Sequence, residues 1–165
     1  MIKFEKVSLK QFIKDCHKCG FQIEEDEAKD ILDNLPLPNR STKNSAGYDF
    51  ATPFKIDVST YVRPVTIPTG IRVILPPNAV LLLMPRSGYG FKTGIRLSNT
   101  IGVIDADYQY AENEGHIHTK FVPGFENKVF NQYDKIMQGI ILNYLTVDND
   151  NADGNRTGGF GSTGN

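Results

Sequence analysis

The chain has 165 residues, of which 39% are hydrophobic and 22% are charged, a composition typical of one soluble globular domain. A formal net charge of −1 predicts no surface for duplex nucleic acid or an anionic membrane. No apolar run approaches the roughly 20 residues of a membrane helix, the first residues lack the apolar stretch of a signal peptide, and two cysteines are compatible with a reducing, cytoplasmic setting.

Two helices are predicted in residues 1–36. Ser8 and Gln11 have the spacing of a capping box. The apolar residues that follow fall on one helical face: Leu9, Phe12, Ile13 and Cys16. A second helix is predicted over residues 24–35, with an ion pair between Glu25 and Lys29. We expect this helical pair to be an addition to the main fold.

From Asn44 onward the pattern is that of short strands separated by turns rich in Pro and Gly. The predicted strands are residues 55–58, 65–67, 71–75, 79–84, 102–104, 117–122, 128–130 and 136–142. The run 79–84 is continuously apolar, which predicts burial on both of its faces. Short strands without intervening helices indicate an all-β sandwich, jelly roll or barrel.

The last twenty residues, from Thr146 to Asn165, are nearly all polar or Gly and cannot build a core. The composition favours a disordered terminus. The alternative is a flexible arm that becomes ordered over a ligand, with Phe160 as its stacking group.

Four further segments carry groups suited to chemistry. Residues 85–88 place Arg86, a hydroxyl and turn amides directly after the predicted buried strand, and such a turn can hold an anion. Residues 99–108 place Asp105 and Asp107 beside an apolar strand, where one carboxylate could be a general base. Ordinary turns explain either segment equally well. Asp49 follows a Gly-marked turn, and Gln138 puts an amide inside an apolar strand where it must find a partner.

These segments resemble, in order, the five motifs of trimeric dUTP diphosphatases (dUTPases). The matching segments are residues 46–50, 85–89, 99–108, 135–139 and 156–164, and the resemblance extends from Leu37 to Asn165. It implies a distorted jelly-roll β-barrel over residues 37–145, a helical addition at 1–36 and a flexible Gly-rich arm at 146–165, all in one domain. It also implies a homotrimer in which three chains build each active site.

The resemblance assigns the phosphate chemistry to particular residues. Asp105 would activate water for attack on the α-phosphorus of dUTP, and Arg86, Ser87 and Gly88 would hold the phosphate chain. A Mg²⁺ bound by the phosphates would keep its waters, which Asp49 would reach. Positioning and charge neutralisation would supply most of the rate.

Recognition of the base would come from the hairpin that the 99–108 segment forms. Its main chain would pair with the uracil edge and reject cytosine, while Tyr108 would pack on the deoxyribose. The residues assigned to this pocket are Asn99, Gly102, Val103, Ile104 and the supporting Gln138. Residues of the arm would close over the bound nucleotide: Arg156, Phe160, Gly161, Ser162 and Thr163.

The chain departs from the family pattern in places. Arg156 lies one residue closer to Phe160 than is common, Lys135 replaces an Arg, and Tyr89 replaces an aliphatic residue. A Lys has no fork for bidentate contacts. Residues 109–116 form a longer link than usual and could make a local excursion near the site.

Two other patterns have ordinary explanations. Cys16 and Cys19 have the spacing of half a metal site or a redox pair, but packing on a helix explains them better. His116 and His118 alternate on a predicted strand and could bind a metal together, although a solvated or interface face is the more common arrangement.

Three other functions remain open on this fold. The first is a dCTP deaminase or its bifunctional relative, whose motif is not recognisable here. The second is a regulatory protein-binding module that uses the N-terminal helices. The third is a catalytically inactive nucleotide sensor, which the filled catalytic positions disfavour.

Overall fold

The protein is mostly β-structure, in a computed structural model that describes residues 1–59, 63–154 and 158. Its strands are β1 (Lys3–Lys6), β2 (Asn39–Arg40), β3 (Tyr48–Ala51), β4 (Ile56–Val58), β5 (Val65–Pro68), β6 (Ile71–Ile74), β7 (Ala79–Pro85), β8 (Arg96–Leu97), β9 (Gly102–Asp105), β10 (His118–Val122), β11 (Lys128–Phe130) and β12 (Lys135–Asn143). The helices are α1 (Leu9–Lys18), α2 (Glu25–Asn34), α3 (Ser87–Thr93) and a 3₁₀ helix over Ala106–Tyr110.

The strands form four sheets, and every described pair is antiparallel. The largest sheet has the order β2-β3-β12-β7-β9, and a second has the order β5-β10-β8. β1 pairs with β6, and β11 pairs with β4. Every strand predicted from the sequence is present, with shifts of at most a few residues at the ends. None of the helices among the described residues is long and apolar enough to span a membrane.

Strand β7 lies between β12 and β9 at the centre of the largest sheet. Ala79, Leu81 and Leu83 are buried, but the residues between them are only half-buried. The prediction that this strand is buried on both faces is therefore wrong for the single chain, because solvent still reaches one face of the sheet.

Helix α1 begins as predicted, with the Ser8 hydroxyl accepting from the Gln11 amide at 3.1 Å. The return bond of a capping box comes from elsewhere: Glu114 accepts from the Ser8 amide at 2.8 Å and from its hydroxyl at 2.6 Å. Gln11 instead donates to Asp15. The helix is thus capped by a loop more than a hundred residues away in the sequence.

Helix α2 is present within one residue of its predicted limits. The predicted ion pair of Glu25 with Lys29 is wrong, because Lys29 has carboxylates on both sides and points to Asp33, at 2.6 Å. Strand β1 was not predicted. It pairs residue by residue with β6, so the segment before the helices is part of a sheet.

Candidate functional site

The segment 85–89 opens a polar cavity of about 620 Å³ at the end of β7. Arg86 occupies the N-cap position of helix α3, whose first residues are Ser87 and Gly88. The lining includes Gly47 and Asp49 of the segment that begins at 46 and Gln138 of the segment that begins at 135. The remaining lining residues are Ser41, Ser45, Tyr89, Lys92, Thr93, Glu126, Asn127 and Lys128. We call this space the phosphate cavity because of its cations and turn amides.

Asp49 binds two cations, Arg86 of this cavity and the neighbouring Lys135. One carboxylate oxygen lies 3.1 Å from the Arg86 Nε, and the other lies 3.0 Å from the Lys135 Nζ. The Ser41 hydroxyl donates to the second oxygen at 2.7 Å. Burial alone would raise the pKa of Asp49, but the Ser41 and Lys135 hydrogen bonds and the charge of Arg86 outweigh it, so the pKa lies below its ordinary value. Asp49 is therefore ionised at neutral pH.

Gln138 joins three of the predicted segments. It lies in β12 opposite Asp49 on one side and Met84 on the other, and its amide donates to the Pro85 carbonyl at 3.4 Å. A Cβ on Gly47 would lie 2.6 Å from the Gln138 side-chain oxygen, so a side chain there would displace the end of Gln138. The expected partner of this amide is thus the turn that leads into Arg86.

The hairpin segment lines a second cavity, of about 280 Å³, which we call the hairpin cavity. Asn99, Gly102 and Ile104 belong to its wall, together with Thr66, Leu83, Leu97, Ser98, His118, Thr119 and Lys120. A tight turn precedes β9, since Thr100 has a φ of 64°, but the predicted hairpin is wrong for the single chain, because β8 pairs with β10 and β9 pairs with β7. The cavity keeps the name of the predicted segment. Val103, on the other face of β9, is 54% exposed.

Asp105 lies at the end of β9, opposite Val80, and lines neither of these cavities. It borders a third cavity with Asp107, Gln109, Tyr110 and others. Tyr108 is only 2% exposed, and its hydroxyl donates to the His116 carbonyl at 2.8 Å. Within one chain, the residues predicted to bind phosphate, base and attacking water therefore lie in separate cavities. Tyr108 packing against a deoxyribose stays a prediction.

The residues predicted in the arm fall outside the part of the chain that the structure describes. They are Arg156, Phe160, Gly161, Ser162 and Thr163. Their roles, including the contact of Arg156, stay predictions.

The departures from the family pattern have distinct structural settings. Lys135 binds Asp49 through one point contact, as expected for an amine. The Tyr89 ring lies between two cations, 5.9 Å from the Arg86 guanidinium and 5.3 Å from the Lys128 amine, so it does more than fill space. Lys92 and Lys128 were missed as cavity residues because neither belongs to a recognisable pattern.

Residues 109–116 pack against helix α1. Besides Glu114 at the helix cap, His116 contacts Asp15, with 2.7 Å between Nδ1 and the carboxylate. His118 reaches the same oxygen at 3.2 Å. Nothing in the sequence pattern pairs these residues, since Asp15 and His116 are 101 positions apart.

The Asp15, His116 and His118 side chains lie close enough to one another to suggest a metal site, but the hydrogen bonds oppose this. The Gly70 amide, which can only donate, lies 2.8 Å from the His116 Nε2. Nε2 is therefore an acceptor, and the ring proton is on Nδ1, where it donates to Asp15. A metal at Nδ1 would move the proton to Nε2 and set two donors against each other. The cluster is better explained as a set of hydrogen bonds that connects helix α1 to His116 and His118.

The pKa values in this cluster follow from the same contacts. Burial alone would raise the pKa of Asp15, but hydrogen bonds from His116, His118 and Gln11 hold it well below its ordinary value. Burial lowers the pKa of His116, and the bond to Asp15 only partly offsets this. Nearby, burial raises the pKa of the Cys16 thiol to about 12. A thiol that stays protonated is a poor metal ligand or redox group.

Comparison with known proteins identifies relatives of the chain from residue 33 onward. The dUTPase family model matches residues 33–164. A deoxyuridine 5'-triphosphate nucleotidohydrolase of Lactococcus lactis is 36% identical over 135 residues, covering 79% of this chain and 89% of that protein. The protein of the same name from Methylobacillus flagellatus is 37% identical over 145 residues, covering 81% of this chain and 93% of that protein.

Solved structures agree on the fold. The crystal structure of the dUTPase from Streptococcus mutans superposes with a TM-score of 0.64 at 28% identity, covering 88% of this chain and 98% of that one. A dUTPase mutant from phage phi11 of S. aureus, described with a structural Mg(II) ion, superposes with a TM-score of 0.64 at 18% identity, covering 93% and 97%. At that identity the likeness concerns the fold alone.

Proposed function

The chain belongs to the dUTPase family and is a nucleotide hydrolase that acts on dUTP, and we propose that it forms dUMP and pyrophosphate by attack of water on the α-phosphorus. The ion pair between Arg86 and Asp49 at the opening of the phosphate cavity carries this proposal. It fixes a guanidinium beside turn amides, which is the arrangement that a polyphosphate requires.

The phosphate chain would bind to Arg86, Ser87 and Gly88. Asp49 and the Lys135 carbonyl, 3.3 Å from the Arg86 Nη1, hold the guanidinium in place. Ser87 and Gly88 begin helix α3, so their amides precede its first internal hydrogen bond and can serve an anion. Preorganised donors of this kind stabilise charge without rearranging during the reaction.

The residues of the phosphate cavity fit a Mg²⁺ that is held mainly by substrate. Asp49 lines this cavity and binds Arg86 through one oxygen and Lys135 through the other. Asp49 could reach water molecules of a bound ion without giving up those contacts. When bound, Mg²⁺ would neutralise charge on the phosphates, while Arg86 and Ser87 orient them.

The hairpin cavity would take the uracil ring. Its size suits a single flat base, and the main chain around Asn99, Gly102 and Ile104 would present donors and acceptors to the base edge. A Cβ on Gly102 would lie 3.1 Å from the Leu83 Cβ, so backbone there packs closely against the floor of the sheet. Unpaired polar groups would make binding of cytosine unfavourable.

A homotrimer with shared active sites would explain why Asp105 lies apart from the phosphate cavity. Separate chains could bring Asp105 of one subunit to the phosphates held by another. The exposed apolar residues beyond β12 support association: Tyr144, Leu145 and Val147 are 45%, 97% and 69% exposed. We further propose that the sheets form a distorted jelly-roll barrel over residues 37–145, that residues 1–36 are an addition to it, and that the arm at 146–165 closes over the site.

A cytoplasmic setting remains our expectation for the protein. Both cysteines are free, which is compatible with a reducing compartment. The proposed substrate is a nucleotide of that compartment.

The reaction is tested by following pyrophosphate release from dUTP, dTTP, dCTP and UTP with Mg²⁺, using wild type, Asp105→Asn and the neighbouring Asp107→Asn. We expect turnover of dUTP alone. Loss of a general base should lower kcat by about 10²- to 10⁴-fold in Asp105→Asn, with a much smaller loss in Asp107→Asn. Equal losses in both variants would contradict the assignment of the base.

The same assay separates the other functions. Deamination of dCTP by the wild type would indicate a deaminase of this fold. Binding of dUTP without hydrolysis would indicate a nucleotide sensor. Neither result is compatible with the mechanism proposed above.

A further inference from the structure

Helix α1 contributes a buried carboxylate, Asp15, that contacts a histidine in the wall of the hairpin cavity. The family match begins at residue 33, and Asp15 precedes it. Asp15 is 3% exposed. A buried charged group of this kind needs several hydrogen bonds, and its position is correspondingly well defined.

One oxygen of Asp15 accepts all of these bonds. The donors are Gln11 Nε2 at 2.8 Å, His116 Nδ1 at 2.7 Å and His118 Nε2 at 3.2 Å. His116 is fixed on its other side by the Gly70 amide and is fully buried. The acceptor that His118 uses is therefore rigid, because it is held by both the helix and the adjoining sheet.

Asp15 and Gln11 line a different cavity, and His118 is the member of this cluster that lines the hairpin cavity. It starts β10 opposite Pro68 of β5, and 15% of its side chain is exposed. It lines the hairpin cavity together with Asn99, Gly102 and Ile104. Its ring is also packed edge-on against that of His116, at 4.6 Å between centroids, which restricts rotation.

We propose that His118 is a positioning residue for the substrate base, and that Asp15 of the N-terminal helix holds it in place. The inference rests on the proposed function, since it takes the hairpin cavity as the place of the uracil ring. An imidazole locked by Asp15 and His116 gives this small cavity a rigid wall. The wall orients the flat pyrimidine before the phosphates react. The helical addition thereby takes part in substrate binding.

The test compares His118→Ala with His118→Gln, whose side-chain amide can replace the Nε2 donor to Asp15. Steady-state assays give KM and kcat for dUTP, and calorimetry gives the dissociation constants of dUMP and of pyrophosphate separately. For His118→Ala we expect KM and the dUMP dissociation constant to rise about tenfold. The kcat should stay within about twofold of wild type, and pyrophosphate binding should not change. His118→Gln should recover much of the loss.

Two further variants locate the effect. Asp15→Asn should weaken dUMP binding in the same way, because a neutral amide oxygen accepts more weakly than a carboxylate from the donors that share it. Ser8→Ala is the matched control, since it removes the hydroxyl bond from the start of helix α1 to Glu114 of the 109–116 loop without touching the cavity. Ser8→Ala should bind dUMP like wild type.

The outcomes separate this inference from the proposed function. If His118→Ala lowers the melting temperature but leaves KM and dUMP binding unchanged, His118 is a structural residue and the inference is wrong. Equal weakening of dUMP and pyrophosphate would also overturn it, because the damage would then not be specific to the base. A wild type that does not hydrolyse dUTP would contradict the proposed function itself.

Discussion

Two carboxylates in this molecule are each held by two basic side chains, but they serve different ends. Asp49 binds Arg86 and Lys135 at the edge of an open cavity, whereas Asp15 binds His116 and His118 inside the protein. The partners of Asp49 keep a positive charge at neutral pH. His116 is held neutral by burial and by the Gly70 amide. In the proposed function, the Asp49 arrangement positions the Arg86 guanidinium for a phosphate. The Asp15 arrangement connects helix α1 to His116 and His118.

The difference predicts that Asp15 matters more for stability than Asp49. Asp15→Ala would leave two imidazole donors without an acceptor in a buried place, so we expect the free energy of unfolding to fall by about 3–5 kcal/mol. Asp49→Ala should lose less, because water can reach its partners. Urea denaturation of both variants measures this. A smaller loss for Asp15→Ala than for Asp49→Ala would reverse the comparison.

The opposite order is expected for activity. Arg86→Ala should lower kcat/KM for dUTP by about 100-fold or more, since it removes a preorganised donor to the phosphates. Arg86→Lys keeps the charge but loses the fork that binds Asp49 and a phosphate together, so it should recover only part of the activity. Steady-state kinetics at saturating Mg²⁺ measures both. Full activity of Arg86→Lys would mean that charge alone is required.

The Asp15 cluster should also make stability depend on pH. Because the pKa of folded His116 lies below its ordinary value of 6.5, the unfolded chain takes up a proton first as the pH falls. Stability is therefore full above about pH 6.5 and decreases below it, by up to about 1.4 kcal/mol per pH unit. The lowered pKa values of Asp15 and Asp49 add a further loss below about pH 4.

Denaturation at several pH values between 5 and 8 tests this assignment. His116→Gln should flatten the slope between pH 7 and 5, whatever its effect on overall stability. His17→Gln is the matched control, because the His17 ring contacts the Ile23 carbonyl and lies outside the Asp15 cluster. This variant should keep the wild-type dependence of stability on pH. An unchanged slope in His116→Gln would contradict the assignment.

The smallest effect is expected at the helix cap. Ser8→Ala removes the acceptor for the Gln11 amide and a donor to Glu114, so we expect a loss of about 1 kcal/mol. Thermal or urea denaturation measures it. A loss as large as that of Asp15→Ala would mean that the cap, and not the buried cluster, attaches helix α1.

The sequence was informative wherever structure follows from neighbouring residues. Strand β11 has its predicted limits, and helix α1 has its predicted cap at Ser8. Strand β1 was missed because its short, charged sequence becomes a strand only by pairing with β6. Helix α3 was missed because Gly88 and Gly90 have low helix propensity, and tertiary contacts override that preference.

The candidate site divides in the same way. The ordered motifs correctly indicated the family. Three residues from different motifs, Asp49, Arg86 and Gln138, line one cavity in the structure. The link from Asp15 to His118 was not predictable, since it depends on a contact between segments about a hundred residues apart. In the proposed trimer, the place of Asp105 in a finished site depends on other copies of the chain, and the sequence pattern of one chain does not describe that arrangement.

The central claim is that the active site combines the phosphate cavity of one subunit with Asp105 of another. Arg86→Ala and Asp105→Asn should each be almost inactive alone. Denatured together in equal amounts and refolded, they should regain dUTP hydrolysis at about a quarter of the wild-type rate, because random assembly leaves both groups intact in that share of all sites. A mixture as inactive as its components would place both groups in the same chain and contradict the account.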